Sequence, residues 1–523
     1  MGRNKLFFNG NIYTQADNIV ADSMAISSSN IIAIGKNLQR DDDFKKFEMI
    51  DLCGQTILPG FTDSHTHFAF MAVSLGNVKL DGKKSLEDVL ICIKNHCRKL
   101  KKDEWMIGEG FSPDQWNKYI MPDKFMLDKI THGRPAAIFS KDTHLMWANS
   151  EALKSAGYDK NTMNPKGGLI ERLSNGELSG ILKEIPAYFP VYRQIKRHDE
   201  SITMKLFKQA LRLAYSKGVT AVHSFDGPEA LKFYVKMAET GKLGLRINYY
   251  PPGARIDELV KNNIRFNYGD DYFRISGVKL FADGALGSQT AFCFSKYIGS
   301  QDNFGVEVTT KEEILRVIKK AARLNLPCAI HAIGDRAIAN VLDCFEKAPA
   351  LTGPARHRIE HLQMMRRKDI SRLKKLGITA SMQPSHCLSD IQLVEKYWGN
   401  RGRNCYIFKT LQRNNIPLAF GSDNPIEPLD PLAGIAAAVN RKSLNTKQVF
   451  YPEEKITVSS AVYGFTAGAA YAVGQEFERG FLLPGYRADF VILDKNLYKI
   501  PPSKLNEVNV IKTYFDGKLV YSA

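Results

Sequence analysis

Short apolar segments that alternate with helical segments run through most of the chain, and this alternation restricts the fold more than any other feature. Eight such segments have the length and composition of buried strands: 56–67, 136–140, 218–225, 275–282, 327–334, 357–363, 378–386 and 416–423. Segments between them, such as 310–325 and 335–348, carry apolar residues at helical spacing and charged residues elsewhere. Eight alternating strand and helix units predict an α/β protein whose parallel strands form a (β/α)8 barrel.

The two ends of the chain have a different pattern. Both alternate apolar and polar residues between turn residues, which is typical of short antiparallel strands. We therefore expect the two ends to pair into one small β module, with the barrel domain between them. Residues from about 68 to 210 interrupt the strand–helix alternation, and we expect an excursion over the active-site end there. The predicted domains are 1–55 plus 477–523, and 56–476.

Two histidines lie two positions apart in the stretch LPGFTDSHTHF, at the end of the first predicted strand. Residues i and i+2 of a strand point to the same face, so His65 and His67 would project together, as paired metal ligands must. Further polar residues end later strands, where (β/α)8 enzymes carry their catalytic groups: Lys279, His331, His361 and Asp423. Four of the 11 histidines lie at such ends, which favours a metal site over separate surface or core histidines.

Lys279 is the unexpected member of this group, because a cation beside metal ions would repel them. Either burial depresses its pKa, or the amine is converted to an anion. Taken singly, the other residues have simpler interpretations. His331 alone is compatible with a hydrogen-bonded core histidine, and Asp423 alone with a turn or helix-capping residue.

Motifs along essentially the whole chain form a specific combination: LPGFTDSHTHF, THLMWANSEAL, GVKLFADGALGSQTA, HAIGDRAI, RIEHLQ, MQPSH, FGSDNPIEPLDPLAGI and GFLLPGYRADFVIL. Together they resemble the amidohydrolase superfamily, in the branch that includes the N-substituted formamide deformylases. The resemblance implies a TIM barrel with a small β-sandwich domain built from both termini. It also implies two divalent metal ions, commonly zinc.

The resemblance further implies a role for each ligand position. Lys279, carbamylated by CO2, would bridge both ions as a two-oxygen anion, which removes the charge conflict. The other ligands would divide between the ions, with His65, His67 and Asp423 on the first and His331 and His361 on the second.

These residues predict a hydrolase that cleaves a non-peptide C–N bond in a small amide or formamide. A hydroxide shared by the two metal ions would attack the carbonyl carbon. Asp423 would act as general base toward this hydroxide and then as general acid toward the leaving amine. Three residues near the same end of the predicted barrel are candidate substrate contacts: His144, His386 and Trp147.

Three other functions stay open at this point. A mononuclear deaminase of a small N-heterocycle would use similar ligands, but it has no need of a bridging Lys279. A catalytically silent barrel that acts as a scaffold usually lacks some ligands, whereas all six are present here. The net charge of +17 raises a nucleic-acid partner, but the basic residues are spread along the chain like solvated helix faces, so we expect none.

The remaining expectations concern location and assembly. The sequence has neither a signal-peptide apolar region nor an uncharged apolar run of about 18 residues, so we expect no membrane association. Eight cysteines without a CxxC pair predict reduced thiols and a cytoplasmic protein. Homodimers are the commonest assemblies, and a homodimer is the default expectation.

Overall fold

A computed structural model describes residues 4–16, 20–101, 104–195, 200–443 and 448–523. The strands that alternate with helices along the middle of the chain lie in two mainly parallel, five-stranded sheets. The first has the order Tyr268–Gly269, Phe273–Ile275, Arg246–Tyr249, Val219–Ser224 and Phe61–Thr66, and its first strand is antiparallel to its neighbour. The second is parallel throughout and has the order Val278–Phe281, Cys328–Ala332, Arg358–His361, Thr379–Met382 and Leu418–Phe420.

Two isolated parallel bridges link these sheets. Thr66, at the end of its strand, pairs with Asn424, which follows Leu418–Phe420. Pro252, which follows Arg246–Tyr249, pairs with Lys279. Because neighbouring strands are parallel, their carboxyl ends share one edge of each sheet, and this edge carries the polar residues that the sequence singled out.

The predicted strand 56–67 is two strands in the structure. Thr56–Pro59 pairs with Phe490–Leu493 in a sheet formed by the chain ends, whereas Phe61–Thr66 pairs with Val219–Ser224. Gly60 separates them, and its backbone lies so close to the Thr220 side chain that a Cβ atom would collide with it. The break therefore occurs at a residue without a side chain.

The predicted strand 136–140 does not belong to the parallel series. Ala136–Ser140 lies inside the sheet of the excursion, and Arg246–Tyr249 completes the series instead. The apolar pattern did not indicate Arg246–Tyr249 because the strand begins with an arginine. That arginine is 4% exposed, and Asp489 neutralises it across an Nε–Oδ2 distance of 2.6 Å.

The excursion forms a sheet with its own apolar core. Its strand order is Leu169–Arg172, Leu178–Lys183, Leu145–Ala148, Ala136–Ser140, Met106–Phe111 and Val78–Lys79. Ion pairs connect it to segments near the strand ends: Lys141 Nζ lies 2.9 Å from Glu427 Oε1, and Asp114 Oδ1 lies 2.6 Å from Lys396 Nζ.

Strands from both chain ends share one sheet and one core. The order of this sheet is Lys518–Ser522, Val510–Phe515, Phe490–Leu493, Thr56–Pro59, Asn11–Tyr13 and Val20–Ala21. A second sheet has the order Asn30–Gly35, Ser23–Ser27, Lys5–Phe8 and Glu48–Asp51. Phe7 joins the two, because its ring lies 5.1 Å from that of Phe490 and 5.2 Å from that of Tyr514.

Helices connect most of these strands. The α-helices are Phe68–Ser74, Leu86–Cys97, Lys124–Thr131, Ser150–Ser155, Ile185–Tyr192, Glu200–Ser216, Pro228–Glu239, Ile256–Lys261, Lys311–Ala322, Asp335–Glu346, Ile370–Lys375, Pro384–Ser389, Ile391–Tyr397, Phe408–Arg413, Pro431–Asn440, Val458–Gly464 and Ala467–Ala472. The 3-10 helices are Leu38–Arg40, Asp42–Phe44, Pro113–Gln115, Gly253–Arg255, Arg367–Asp369, Gly399–Asn404, Pro452–Glu454 and Pro502–Glu507. None of the described helices combines the length and the apolar character that a membrane crossing requires.

Candidate functional site

Side chains from the carboxyl ends of the parallel strands converge on Asp423. Asp423 Oδ1 lies 3.5 Å from His65 Nε2 and 3.4 Å from His67 Nε2. On the other side of the carboxylate, Oδ2 lies 3.9 Å from His361 Nδ1. One donor atom each of His65, His361 and Asp423 lies within 4.8 Å of the others, and all three side chains are buried. Such a spacing of nitrogen and oxygen donors suits a divalent metal ion.

The backbone turns sharply where these ligands lie. His361 has a φ of 70° and Asp423 a φ of 61°, values that few non-glycine residues adopt and that occur at tight turns and at functional sites. Asp63 holds the second of these turns, because its carboxylate accepts the Ser422 backbone N–H at 3.0 Å. Gly421 lies directly against the backbone of His65, and a Cβ atom there would collide with it.

His331 and Lys279 lie beside this group. The His331 ring centroid is 4.5 Å from that of His361. Lys279 is 3% exposed, and its Nζ has no hydrogen-bond partner among the described residues. This Nζ lies 4.6 Å from the ring of Phe225, which packs against His65 at 4.3 Å. Burial lowers the pKa of Lys279 to about 8.

Two of the three predicted substrate contacts reach the same region. The His386 ring is parallel to that of His361, and its Nε2 lies 3.8 Å from Asp423 Oδ2. The His144 ring lies 5.3 Å from that of His331, and its Nδ1 is 2.8 Å from Glu184 Oε2. Burial lowers the pKa of His144, but the charge of Glu184 outweighs it and raises the pKa to about 9.

Trp147, the third predicted contact, lies apart from the histidines. Its side chain is fully buried in the excursion, where its indole N–H donates to the Asp123 carbonyl at 2.8 Å. Its ring packs on Phe111 at 5.9 Å. Trp147 is three positions after His144, and an odd spacing in extended backbone directs two side chains to opposite faces. Trp147 therefore packs in the apolar core of the excursion.

Glu360 is a site residue that the sequence did not indicate. Its Oε2 lies 2.5 Å from His65 Nδ1, and its Oε1 accepts from Arg358 Nε at 2.5 Å. Burial raises the pKa of Glu360, but the charge of Arg358 outweighs it and holds the pKa well below the usual range. An ionised carboxylate only accepts, so His65 carries its proton on Nδ1 and directs the lone pair of Nε2 toward Asp423.

Strand alternation concealed this contact. Glu360 and His361 are neighbours, and neighbours in a strand point to opposite faces. The positive φ of His361 breaks the alternation, so both side chains approach His65.

Arg358 lies fully buried beneath the site and contacts several strands. Its guanidinium donates to the Ser64 carbonyl at 2.6 Å, to His223 Nδ1 at 2.8 Å and to Ser381 Oγ at 2.6 Å, besides its contact with Glu360. These partners belong to four different parallel strands, counting Arg358's own.

A hydrogen-bond partner also determines which ring nitrogen of His331 carries the proton. Its Nε2 lies 3.1 Å from the Gly284 carbonyl oxygen, which only accepts hydrogen bonds. Nε2 therefore carries the proton, and Nδ1 has a lone pair free to bind a metal ion. Asp283 accepts the N–H groups of Gly334 at 2.8 Å and of Phe292 at 2.9 Å. Asp283 therefore fixes the loop after Lys279.

The donor set fits a divalent metal centre. Burial lowers the pKa of His65 to about 4, and it lowers that of His361 well below the ordinary value, so both imidazoles are neutral at pH 7. Burial raises the pKa of Asp423, but His65 and the other nearby histidines outweigh it, and Asp423 stays ionised. His361 Nδ1 and His386 Nε2 are buried and lack hydrogen-bond partners within the described part of the chain. Neutral imidazoles around a carboxylate are typical zinc ligands.

Comparisons with known proteins agree with this chemistry. A sequence model of the amidohydrolase family matches residues 48–521. The protein named "Putative amidohydrolase YtcJ" of Bacillus subtilis (strain 168) is 33% identical over 491 residues, covering 91% of this chain and 90% of YtcJ. The N-substituted formamide deformylase of Arthrobacter pascens is 24% identical over 536 residues, covering 99% of this chain and 98% of the deformylase. The crystal structure of an uncharacterized metal-dependent hydrolase from Pyrococcus horikoshii OT3 is similar with a TM-score of 0.78 at 28% identity, covering 96% of this chain and 99% of that one.

Proposed function

We propose, because the chain belongs to the amidohydrolase family, that it hydrolyses a non-peptide C–N bond in a small amide or formamide. The observation that carries this proposal is the buried group of imidazoles around the ionised carboxylate of Asp423, at the carboxyl ends of parallel strands. Similarity over nearly the whole chain to an N-substituted formamide deformylase supports the formamide-type substrate.

The architecture that we propose for this site is a closed (β/α)8 barrel with a composite β-sandwich domain. The two parallel bridges support closure, because each of them links one five-stranded sheet to the other. The apolar core that strands of both chain ends share supports the sandwich. Because Thr56–Pro59 pairs with Phe490–Leu493, we propose 1–59 plus 477–523 for the sandwich. The barrel would take 60–476, with the excursion at about 68–210.

Two divalent metal ions, which we propose to be zinc, would complete the site. His65, His67 and Asp423 would hold one ion, and His331 and His361 would hold the other. Bound ions would polarise the substrate carbonyl and lower the pKa of a water molecule to about 7. The partners Glu360 and Gly284 support this role, because they fix the rings of His65 and His331 with a nitrogen lone pair free.

Lys279 would join the two sets of ligands as a carbamate. Its pKa of about 8 leaves part of the amine unprotonated at neutral pH, and an unprotonated amine adds to CO2 with loss of a proton. The product exchanges a buried cation for an anion beside the metal ions. The lack of a hydrogen-bond partner for Nζ among the described residues supports this conversion.

Asp423 would carry the proton of the reaction. Because nearby histidines keep it ionised, Asp423 can accept a proton from the attacking water. Asp423 would then return this proton to the leaving nitrogen, as general acid.

The experiment compares Lys279→Ala with a matched control, Lys217→Ala, which removes a half-exposed lysine paired with Asp430 outside the site. Metal content is measured by mass spectrometry, and turnover is measured on a panel of N-formyl, N-acyl and cyclic amides. We expect Lys279→Ala to lose at least one metal ion per chain and all measurable turnover, and we expect Lys217→Ala to keep both. Full metal content and activity in Lys279→Ala would contradict the bridging role. Deamination of an N-heterocycle by a protein with one metal ion would favour the alternative enzyme.

A further inference from the structure

We propose that His144, positioned by Glu184, donates a hydrogen bond to the carbonyl oxygen of the bound amide. This inference rests on the proposed amide hydrolysis and deepens it. His144 would contact the substrate, whereas Glu184 would act through His144 as a positioning residue.

The location of His144 is the first observation. Its ring lies 5.3 Å from that of His331, whereas the carboxylate of Asp423 faces His65 and His67 at 3.5 and 3.4 Å. His144 therefore lies beside His331, whereas Asp423 lies among His65, His67 and His361. The His144 side chain is 13% exposed, so a small ligand can reach it. Asp423 would protonate the leaving nitrogen, so we assign to His144 the hydrogen bond to the carbonyl oxygen.

Glu184 holds His144 at two points, which is the second observation. The Glu184 side chain contacts Nδ1 of the ring at 2.8 Å, and its backbone N–H donates to the His144 carbonyl at 2.8 Å. Glu184 is 2% exposed and has a φ of 68°. A buried non-glycine residue keeps such a conformation only when its surroundings require it, and residues of this kind cluster at functional sites.

Gly284 is the third observation, because it makes room for this carboxylate. A Cβ atom at position 284 would collide with Glu184 Oε1. Oε1 is buried and has no hydrogen-bond partner within the described residues. The carbonyl of the same glycine contacts His331 Nε2 at 3.1 Å. The backbone at Gly284 therefore positions His331 and leaves the space that Glu184 needs to reach His144.

The chemistry of the pair assigns the substrate contact to one ring nitrogen. A carboxylate only accepts hydrogen bonds, so Nδ1 of His144 donates to Glu184 and Nε2 remains for the ligand. Donation from Nε2 requires the ring to carry a proton on both nitrogens, unlike the ring of His65. The buried carboxylate of Glu184, 2.8 Å from Nδ1, stabilises this doubly protonated ring, so Nε2 is a charge-assisted donor. A donor aimed at a carbonyl oxygen gains strength as negative charge develops on that oxygen, so it acts on kcat more than on KM.

The test uses four variants of the metal-loaded full chain. Glu184→Gln keeps the shape of the side chain and removes its charge. His144→Leu removes the donor, and His144→Gln restores an N–H donor of similar reach. Glu171→Gln is the matched control, because Glu171 is a nearby carboxylate of the excursion that pairs with Lys183 at 2.6 Å.

Two readouts are needed: turnover of the amide panel, and calorimetric affinity for methylphosphonate, a tetrahedral anion that mimics the oxyanion. We expect Glu184→Gln and His144→Leu to lower kcat about 100-fold with little change in KM, at unchanged metal content. We expect their methylphosphonate affinity to fall at least about tenfold, since hydrogen bonds to charged groups contribute that much. His144→Gln should recover part of both losses, and Glu171→Gln should match the wild type.

The two proposals fail in different ways. A wild-type protein that binds methylphosphonate but hydrolyses no amide of the panel refutes the proposed function. A lower methylphosphonate affinity in His144→Leu would then still support the His144 contact to an oxyanion. Equal methylphosphonate affinity in wild type, Glu184→Gln and His144→Leu overturns the inference, as does a wild type that binds no methylphosphonate. If Glu184→Gln does not fold by circular dichroism, the comparison of His144→Leu with His144→Gln decides alone, and equal values in those two overturn the inference.

Discussion

Replacement of Glu360 by glutamine removes the negative charge that Arg358 and His65 share. Glu360 and Arg358 are both 0% exposed and His65 is 1% exposed, so water cannot replace the lost charge. Arg358 contacts both carboxylate oxygens, at 2.5 and 3.1 Å. Glutamine keeps the length of the side chain, but its NH2 group must face an N–H donor of Arg358 or of His65.

The expected loss of unfolding free energy in Glu360→Gln depends on the hydrogen bonds that Arg358 retains. Breaking a buried ion pair by removing one partner costs about 3–5 kcal/mol. Arg358 keeps its hydrogen bonds to the Ser64 carbonyl and Ser381 Oγ, both at 2.6 Å, so we expect a loss near the lower end, about 3 kcal/mol. Loss of the partner of His65 should also weaken metal binding about 10- to 100-fold.

The assay is urea unfolding of the metal-free protein, because bound metal would add its own stabilisation. Metal affinity is measured separately by titration with a competing chelator. Glu346→Gln is the matched control: Glu346 makes a comparable double contact with Arg372, at 2.7 and 2.9 Å, but its side chain is 42% exposed. An exposed pair contributes about 1 kcal/mol or less. If Glu360→Gln costs no more than Glu346→Gln, the buried charge does not stabilise the site as argued.

Two further predictions concern residues away from the site. Burial lowers the pKa of His357 to about 3, and its Nδ1 accepts the Cys328 N–H. In the unfolded chain this histidine has a pKa of about 6.5, so below that pH the unfolded chain binds a proton that the folded protein does not bind. The contribution of this group to stability is therefore fully present above that pH and declines as the pH falls; metal-free protein should lose about 1–2 kcal/mol between pH 8 and pH 5 through it. Urea unfolding at both pH values should show a loss that is smaller by this amount in His357→Asn, because buried His65 and His361 lower the stability of both proteins over the same range. Arg246→Leu leaves Asp489 buried without its partner and should cost about 3–5 kcal/mol, whereas the double variant with Asp489→Leu should recover most of it. Urea unfolding of both variants measures this, and an equal loss in the double variant would contradict the charge argument.

Strand periodicity and fold geometry together predicted which side chains would come close to one another. The i, i+2 spacing of His65 and His67 and the strand-end positions of His361 and Asp423 are local patterns, and the structure brings these four residues together. Glu184 follows no such pattern. It lies in the irregular excursion, and its contact with His144 depends on a positive φ that local sequence does not encode.

The errors of strand assignment have a related cause. Ala136–Ser140 is as apolar as a strand of the parallel series, but it pairs within the excursion sheet, and apolar character alone does not identify the sheet that buries a strand. Arg246–Tyr249 carries an arginine that looks like a surface residue until Asp489, 243 positions away, neutralises it. Long-range ion pairs of this kind cannot be read from a window of neighbouring residues.

The guanidinium of Arg358 has a consequence for how substrate preference can change. One cation joins four strands directly beneath the predicted ligands, so the ligands cannot shift individually without disturbing several strands at once. The excursion makes its contacts from above, through side chains such as His144 and Lys141. Variants with altered selectivity should therefore arise from residues 78–183, and the reacting centre beneath them should tolerate little variation.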